Sequence, residues 1–290
     1  MKKFDYHMPE SLKEAYGLME KHQGKARYIA GGTDVIVRMK MRALEPDALV
    51  SLRHIDELRG IHWNGGLRLG SMTLFRDIER DAEIFRAYPA LAQAVRVLAN
   101  PQVRNVATIG GNLANAAPSA DCAPPLLVLE AVLTLEGPGG SREVPLEDFF
   151  KGPGQTCMEP SEVLKSISIP GMKQGTGTAF LKTGRVTQDI ALINAAALVI
   201  MDGAVCTTCR LAAGAVAPVP LRLKKAEQAV EGQKITPDLL ERIKGLVEEG
   251  VSPITDVRST ESYRRVMSGV LAKRALAQAA KDAGGAKGQV

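Results

Sequence analysis

A chain of 290 residues, 45% of them hydrophobic, has room for one large domain or for two to three lobes that each bury a core. Its 37 Lys and Arg against 32 Asp and Glu leave a net charge of +5. The densest basic runs are only Lys2-Lys3, Lys224-Lys225 and Arg264-Arg265, which argues against nucleic acid but suits a bound anion. The four cysteines, Cys122, Cys157, Cys206 and Cys209, are too scattered for a disulfide scaffold and imply a reducing, cytoplasmic setting. The opening MKKFDYHMPE turns acidic before any apolar run, so no signal peptide is expected, and no stretch approaches membrane-spanning length.

The predicted elements begin with a helix over 11–22 (SLKEAYGLMEKH). Leu12, Ala15, Leu18 and Met19 form its apolar face, Ser11 is the cap and Glu14 sits three residues on. RYIA is a short buried strand stopped by Gly31-Gly32, and TDVIVRMKMRAL follows with Thr33 or Asp34 as a helix cap. DALVSL (47–52) is a second short strand, and IDELRGI leads into a turn. GLRLGSMT alternates as a strand does, with Leu67 and Leu69 on one face, and Thr73 with the acids after it marks a helix start. YPALAQAVRVLA (88–99) reads as a longer helix with Pro89 near its first turn. The segment ATIGGNLANAAPSAD (107–121) has a composition that favours neither helix nor strand.

LLVLEAVLTLEG (126–137) is apolar and β-rich toward its end, and GPGG makes a turn. Residues 145–175 read as connection with one strand, Val163 to Ile169. Residues 176–217 change to runs of Ala, Val, Ile and Thr split by glycines, the pattern of an antiparallel sheet. From 221 the chain turns helical through LRLKKAEQAVEG, TPDLLERIKGLVEEG and ESYRRVMSGVLAKRALAQAAK, and KDAGGAKGQV is a frayed, flexible tail over 281–290. A domain boundary falls near 171–176, and no internal repeat is visible.

Two segments share an unusual chemistry. AGGTDVIV and TIGGNLANAAPSAD each set a Gly-Gly pair just after a short apolar run, with hydroxyl or amide side chains close by. Glycine permits positive φ and lacks the Cβ that would hold a ligand away, so successive backbone N–H groups can converge on an anion. Thr33, Thr108, Asn112 and Ser119 can add side-chain hydrogen bonds. Two such loops could clamp a diphosphate from both sides. A Gly-Gly pair also serves as a plain turn, and neither segment matches GxGxxG or GxxxxGK[ST], so the residues alone leave dinucleotide binding and structural turns both open.

The pair AGGTDVIVRMK and QVRNVATIGGNLANAAPSAD resembles the signatures of the FAD-binding medium subunits of molybdenum hydroxylases, the xanthine dehydrogenase, carbon monoxide dehydrogenase and aldehyde oxidoreductase family. ALVSLRHIDELRGI, FFKGPGQT, EVLKSISIP, TAFLKTGRVTQDIALINAA and DVRSTESYRRVM extend the resemblance over nearly the whole chain. It implies an α+β fold: a two-lobed FAD-binding domain of the vanillyl-alcohol oxidase (PCMH) type, with lobes over about 1–55 and 56–171, and a C-terminal antiparallel sheet-and-helix domain over about 176–280. It further implies that Ala30, Gly31, Gly32, Thr33, Asp34 and Val35, with Thr108, Ile109, Gly110, Gly111 and Asn112, line the FAD diphosphate. Asp121 would bind toward the ribose, Leu98 and Leu164 would pack on the cofactor, and Lys182 would approach the flavin or its phosphate arm. Gln102 and Arg104 would brace the second loop. The implied partners are a small [2Fe–2S] subunit and a large molybdopterin subunit, as a dimer of heterotrimers. Electrons would leave the flavin for an external acceptor, NAD, a quinone or oxygen.

Other chemistries find no support in the residues. Cys206 and Cys209 have no second pair, and an offset of three in a strand would turn them to different faces. His7, His22, His54 and His62 never fall at i, i+4, so no metal ligand set is expected, and no GxSxG elbow occurs. Trp63 stands alone, without the look of a stacking platform. No extra cysteine cluster marks the second lobe, unlike the 4-hydroxybenzoyl-CoA reductase branch of the family. The alternative readings are a self-contained flavin reductase of related fold and a cofactor-free assembly subunit.

Overall fold

The computed structural model describes residues 1–186 and 188–285. The first lobe contains β1 (Asp5–His7), α1 (Leu12–Lys21), β2 (Ala26–Ile29), α2 (Val35–Lys40) and β3 (Ala48–Ser51). Its three strands are parallel in the order β1-β3-β2. Ser11 caps α1 by accepting the Glu14 N–H at 3.2 Å, and Leu12, Ala15 and Met19 turn inward. The central strand β3 is buried at all four residues, as a parallel strand covered on both faces must be.

The second lobe opens with β4 (Ile61–Trp63) and β5 (Gly66–Gly70). Helices α3 (Phe75–Arg80), α4 (Ala82–Ala87), α5 (Pro89–Arg96), α6 (Pro101–Arg104), α7 (Ile109–Ala114) and α8 (Ala123–Val128) follow. The chain then returns through β6 (Val132–Gly137), β7 (Gly140–Pro145), α9 (Leu146–Phe149), the small hairpin β8 (Phe150–Gly152) and β9 (Gln155–Thr156), and β10 (Val163–Pro170). The main sheet is antiparallel in the order β4-β5-β10-β6-β7.

Several sequence expectations are corrected here. Residues 107–121 do contain helix, α7. Thr73 is not a cap, because its hydroxyl donates to Gly60 O at 3.0 Å and α3 begins after Leu74. The stretch 126–137 starts in a helix whose first turn holds Pro124 and Pro125, where missing N–H groups cost nothing. Residues 145–175 hold a short helix and a hairpin besides the expected strand. Trp63, the single tryptophan, stacks on the buried Tyr88 with ring centroids 5.9 Å apart, a contact the sequence did not foresee.

The third sheet is built from β11 (Thr176–Thr183), β12 (Ile193–Asp202), β13 (Val205–Gly214) and β14 (Leu221–Arg222), antiparallel in that order. Helices α10 (Lys224–Val230), α11 (Pro237–Gly250) and α12 (Glu261–Gly285) complete the domain. Both faces of the sheet are covered, which explains the alanine-rich run in β12. Ala195, Ala197 and Val199 join the core beneath α11 and α12, while Ala196 and Leu198 join the second-lobe core. The pairing of β12 with β13 shifts register between Ile200 and Met201 and skips Thr207. That irregularity puts Cys206 and Cys209 into the same buried core, correcting the expectation of opposite faces. The tail expected from 281 is helical through Gly285, and its remainder lies outside the described residues.

Helix α12 lies so close on β11 that a Cβ on Gly177 would stand 2.0 Å from Ala279 O and 2.5 Å from Ala283 N. Gly177→Ala is therefore expected to lower the unfolding free energy by about 1–3 kcal/mol, measured by denaturant titration. Gly245→Ala, in α11 with nothing within 4 Å of its would-be Cβ, is expected to raise it by about 1 kcal/mol.

Candidate cofactor-binding groove

A groove of about 800 Å³ runs between the two lobes, within the usual range for small-molecule and cofactor sites of about 300–1,000 Å³. Its first wall is the turn between β2 and α2. A Cβ on Gly31 would stand 2.1 Å from Val106 O, so only glycine lets the second lobe come this close. Gly32 has φ +77°, the left-handed region that glycine enters without strain. The N–H groups of Gly31, Gly32, Thr33 and Asp34 meet no protein acceptor among the described residues, and backbone pairing resumes only with Ile36 N donating to Gly32 O at 3.1 Å. Asp34 begins α2 without capping it by its side chain. Its carboxylate accepts from Asn115 Nδ2 across the groove at 3.1 Å and from Thr33 Oγ1 at 3.3 Å. The turn thus presents adjacent unsatisfied donors beside open space, the property that an anion requires.

The second glycine pair works differently, and the expectation of a second set of free amides fails. Thr108 caps α7, its hydroxyl accepting from Gly111 N at 3.0 Å. The N–H groups of Ile109, Gly110 and Asn112 donate to Thr73 O at 3.1 Å, Ser71 O at 2.9 Å and Thr108 O at 3.0 Å. These bonds sew α7 to the end of β5 and account for a helix in a segment with poor helix propensity. The glycines serve proximity instead. A Cβ on Gly110 would stand 2.4 Å from Ser71 Cβ, and one on Gly111 would stand 2.9 Å from Thr108 Oγ1 and 3.3 Å from Ala30 Cβ in the opposite lobe. What this wall offers a ligand is side-chain chemistry. Asn112 Oδ1 and Ser71 Oγ are buried without any hydrogen-bond partner, and both residues line the groove. Ile109 is fully buried in the second-lobe core rather than at the groove.

Asp121 stands at the groove just before α8 and is 7% exposed. Its Oδ2 accepts from Lys182 Nζ at 2.6 Å and its Oδ1 from Asn194 Nδ2 at 3.0 Å. Burial pushes its carboxyl above the ordinary carboxylate range, and the Lys182 charge with the Lys182 and Asn194 hydrogen bonds opposes that rise. Lys182 also donates to Val97 O at 3.1 Å and lies behind Asp121 on β11, not on the groove wall as expected. It reaches a ligand only through the acid. Neighbouring Cys122 is fully buried and its thiol is pushed well up by that burial, which leaves it protonated and inert.

Ala30, Val35, Leu98, Leu164 and Ser119 line the groove with the residues above, so fourteen of the sixteen expected contacts meet there, Ile109 and Lys182 being the two that do not. Arg104 ties α6 to α3 through two bonds to Glu79, at 3.0 and 3.1 Å, and donates to Leu98 O at 2.8 Å, whereas Gln102 is exposed. Sequence reasoning missed Ser71 and Phe75, whose neighbours in sequence carry no motif, and passed over Arg38 and Asn115 although both lie inside the two glycine segments. It also missed Gln188, Asp189 and Ile190, which the loop between β11 and β12 brings to the groove edge. No histidine or cysteine lines the groove among the described residues. No helix among them is long and apolar enough to cross a membrane. Unsatisfied amides, orphaned Asn112 and Ser71 oxygens, a buried acid and apolar walls together fit a dinucleotide with a diphosphate bridge.

Residues 2–172 match the family model described as the FAD binding domain in molybdopterin dehydrogenase, and residues 178–279 match the CO dehydrogenase flavoprotein C-terminal domain. The carbon monoxide dehydrogenase medium chain of Hydrogenophaga pseudoflava is 34% identical over 94% of this chain and 96% of its own. The xanthine dehydrogenase FAD-binding subunit of Escherichia coli O157:H7 is 35% identical over 97% of both. Among solved structures, carbon monoxide dehydrogenase from Hydrogenophaga pseudoflava superposes with a TM-score of 0.93 at 35% identity, covering 96% of this chain and 97% of that one. Quinoline 2-oxidoreductase from Pseudomonas putida 86 gives 0.92 at 30% identity, covering 98% and 99%. Matched by both family models and by relatives over more than nine-tenths of its length, the chain belongs to the molybdenum hydroxylase family as a FAD-binding medium subunit.

Proposed function

We propose that this chain carries electrons between subunits and an outside acceptor. The donor is a small subunit with [2Fe–2S] clusters, and the acceptor is NAD, a quinone or oxygen. Substrate oxidation belongs to a large molybdopterin subunit, in a dimer of heterotrimers. The relatives named as medium chains support this division of labour. The four unpaired thiols suit a reducing cytoplasm. The observation that carries the reading is the row of four unpartnered amides at Gly31–Asp34 facing a groove that no histidine or cysteine lines among the described residues.

Bound FAD supplies the exchange of one or two electrons. The chain's own residues bind and orient it. The Gly31–Asp34 amides would donate to diphosphate oxygens, with the Asn112 side-chain amide and Ser71 Oγ adding polar contacts from the second lobe. Asp121 would accept from ribose hydroxyls. Lys182 opposes the rise that burial imposes on that carboxyl and fixes its direction, so it acts as a positioning residue. Phe75, Leu98 and Leu164 give apolar surface that keeps water off the ligand.

Purified protein is expected to hold about one FAD per chain, read by absorbance after heat release. Gly111→Val should reduce that occupancy about tenfold or more, because the new side chain presses on Thr108 and Ala30 where the lobes meet. Full occupancy with an unchanged melting temperature would sink the cradle. In the assembled complex, Gly111→Val should leave substrate oxidation with an artificial acceptor intact and abolish reduction of the native acceptor. Equal loss of both activities would mean that the chain does not stand between the clusters and the acceptor.

Lys182→Met leaves Asp121 buried without its cation. It is expected to lower apo-protein stability by about 3 kcal/mol in urea titration and to weaken FAD binding. Adding Asp121→Asn should recover much of the stability but not the affinity. Recovery of both would remove Asp121 from the cofactor site.

A further inference from the structure

We propose that Asp5, His7 and His22 form a binding site for a divalent transition-metal ion of the Zn2+ kind, on the first lobe. One imidazole nitrogen from each histidine and one carboxylate oxygen of Asp5 all lie within 4.8 Å of one another. The fold makes this convergence in two steps. Asp5 and His7 are two apart on β1, so their side chains leave the same side of the strand. His22 follows the last residue of α1, fifteen positions on, and the parallel β1-α1-β2 connection brings that helix end back to the strand. The histidine spacing along the chain hides the cluster entirely.

The geometry suits an ion. The two Nε2 atoms stand 3.2 Å apart. Two nitrogens held at about 2.0–2.1 Å by one tetrahedral ion are about 3.3 Å apart, so the two imidazoles already stand at a ligating separation, and the exposed Asp5 side chain has to close in to join them. Two imidazoles and one carboxylate, with water in the open position, are a donor set that Zn2+ accepts. The end of α1 adds the partial negative charge of its terminal carbonyls. Lys2 pairs with Asp47 at 2.7 Å, and no ion pair among the described residues takes up Asp5. A bound ion would fasten the three-residue edge strand β1 to the end of α1 and stabilise the lobe by mass action. The same 3.2 Å also fits a direct bond between two imidazole rings, which is the competing account.

Untagged, FAD-loaded protein is stripped with EDTA, dialysed and titrated with Co2+, followed by visible absorption, and with Zn2+, followed by calorimetry. One equivalent is expected, with the visible bands of a nitrogen-ligated Co2+ ion. Loss of contacts outside a metal's own ligands already costs about 10–100-fold in affinity, so His7→Gln and His22→Gln should each cost about 100-fold or more. Asp5→Asn, at an exposed position, should weaken binding less and retains the test if a histidine variant misfolds. FAD content should stay unchanged in all three. Zn2+ affinity that is equal in wild type and His22→Gln, or the absence of the Co2+ bands, would overturn the proposal and leave a simple imidazole pair.

Discussion

The groove depends on how closely two pieces of backbone approach where no side chain separates them. Gly31 brings its α-carbon against Val106 O, and Gly111 faces Ala30 from the other side. A single Cβ at Gly31 would overlap a backbone oxygen, which cannot swing away as a side chain can. The two lobes are therefore set at a spacing that their glycines alone permit. That spacing is set by the protein's own backbone contacts.

Within this constraint the two walls divide the chemistry. The first-lobe turn leaves its N–H groups unpaired and is suited to hold phosphate oxygens. The second-lobe helix α7 uses its own N–H groups to bond Ser71 and Thr73, just after β5, and its cap Thr108, so its amides are paired without any ligand. Preorganisation of that kind spares part of the ordering entropy on binding. The unsatisfied oxygens of Asn112 and Ser71 then mark where rigid structure still has an open hydrogen-bonding position.

The C-terminal domain takes part through a buried link as well as through the Gln188–Ile190 segment at the groove edge. Asn194 on β12 and Lys182 on β11 both end on Asp121, so the acid at the groove is held by the third sheet. Asn194 sits beside Gly214, where a Cβ would stand 2.3 Å from the Asn194 Oδ1 atom. The small residues of β12 and β13 let this sheet lie against α5 and α8, which carries the Lys182–Asp121 pair into the interior. Burial raises the cost of an unpaired charge there, so the acid and the lysine are tolerated as a pair.

Much of this was legible along the chain because it rests on local periodicity or on residue types with few alternatives. The amphipathic face of α1 with its Ser11 cap, the alternation of Leu67 and Leu69 and the Ala-Val-Ile-Thr runs of the third sheet are patterns of neighbours in sequence. The doubled glycines marked the two segments as unusual, but left an anion cradle and a plain turn both open, and the close approach of the lobes there came only with the fold. Sequence could not say which amides would remain free, because Ser71 and Thr73 lie far from Gly110 in the chain and claim its turn only once the lobe has folded. Nor could it place Lys182 behind Asp121, face Cys206 and Cys209 the same way, or bring His7 to His22. Each of those outcomes is set by strand register and helix packing between distant segments, and only the tertiary structure decides them.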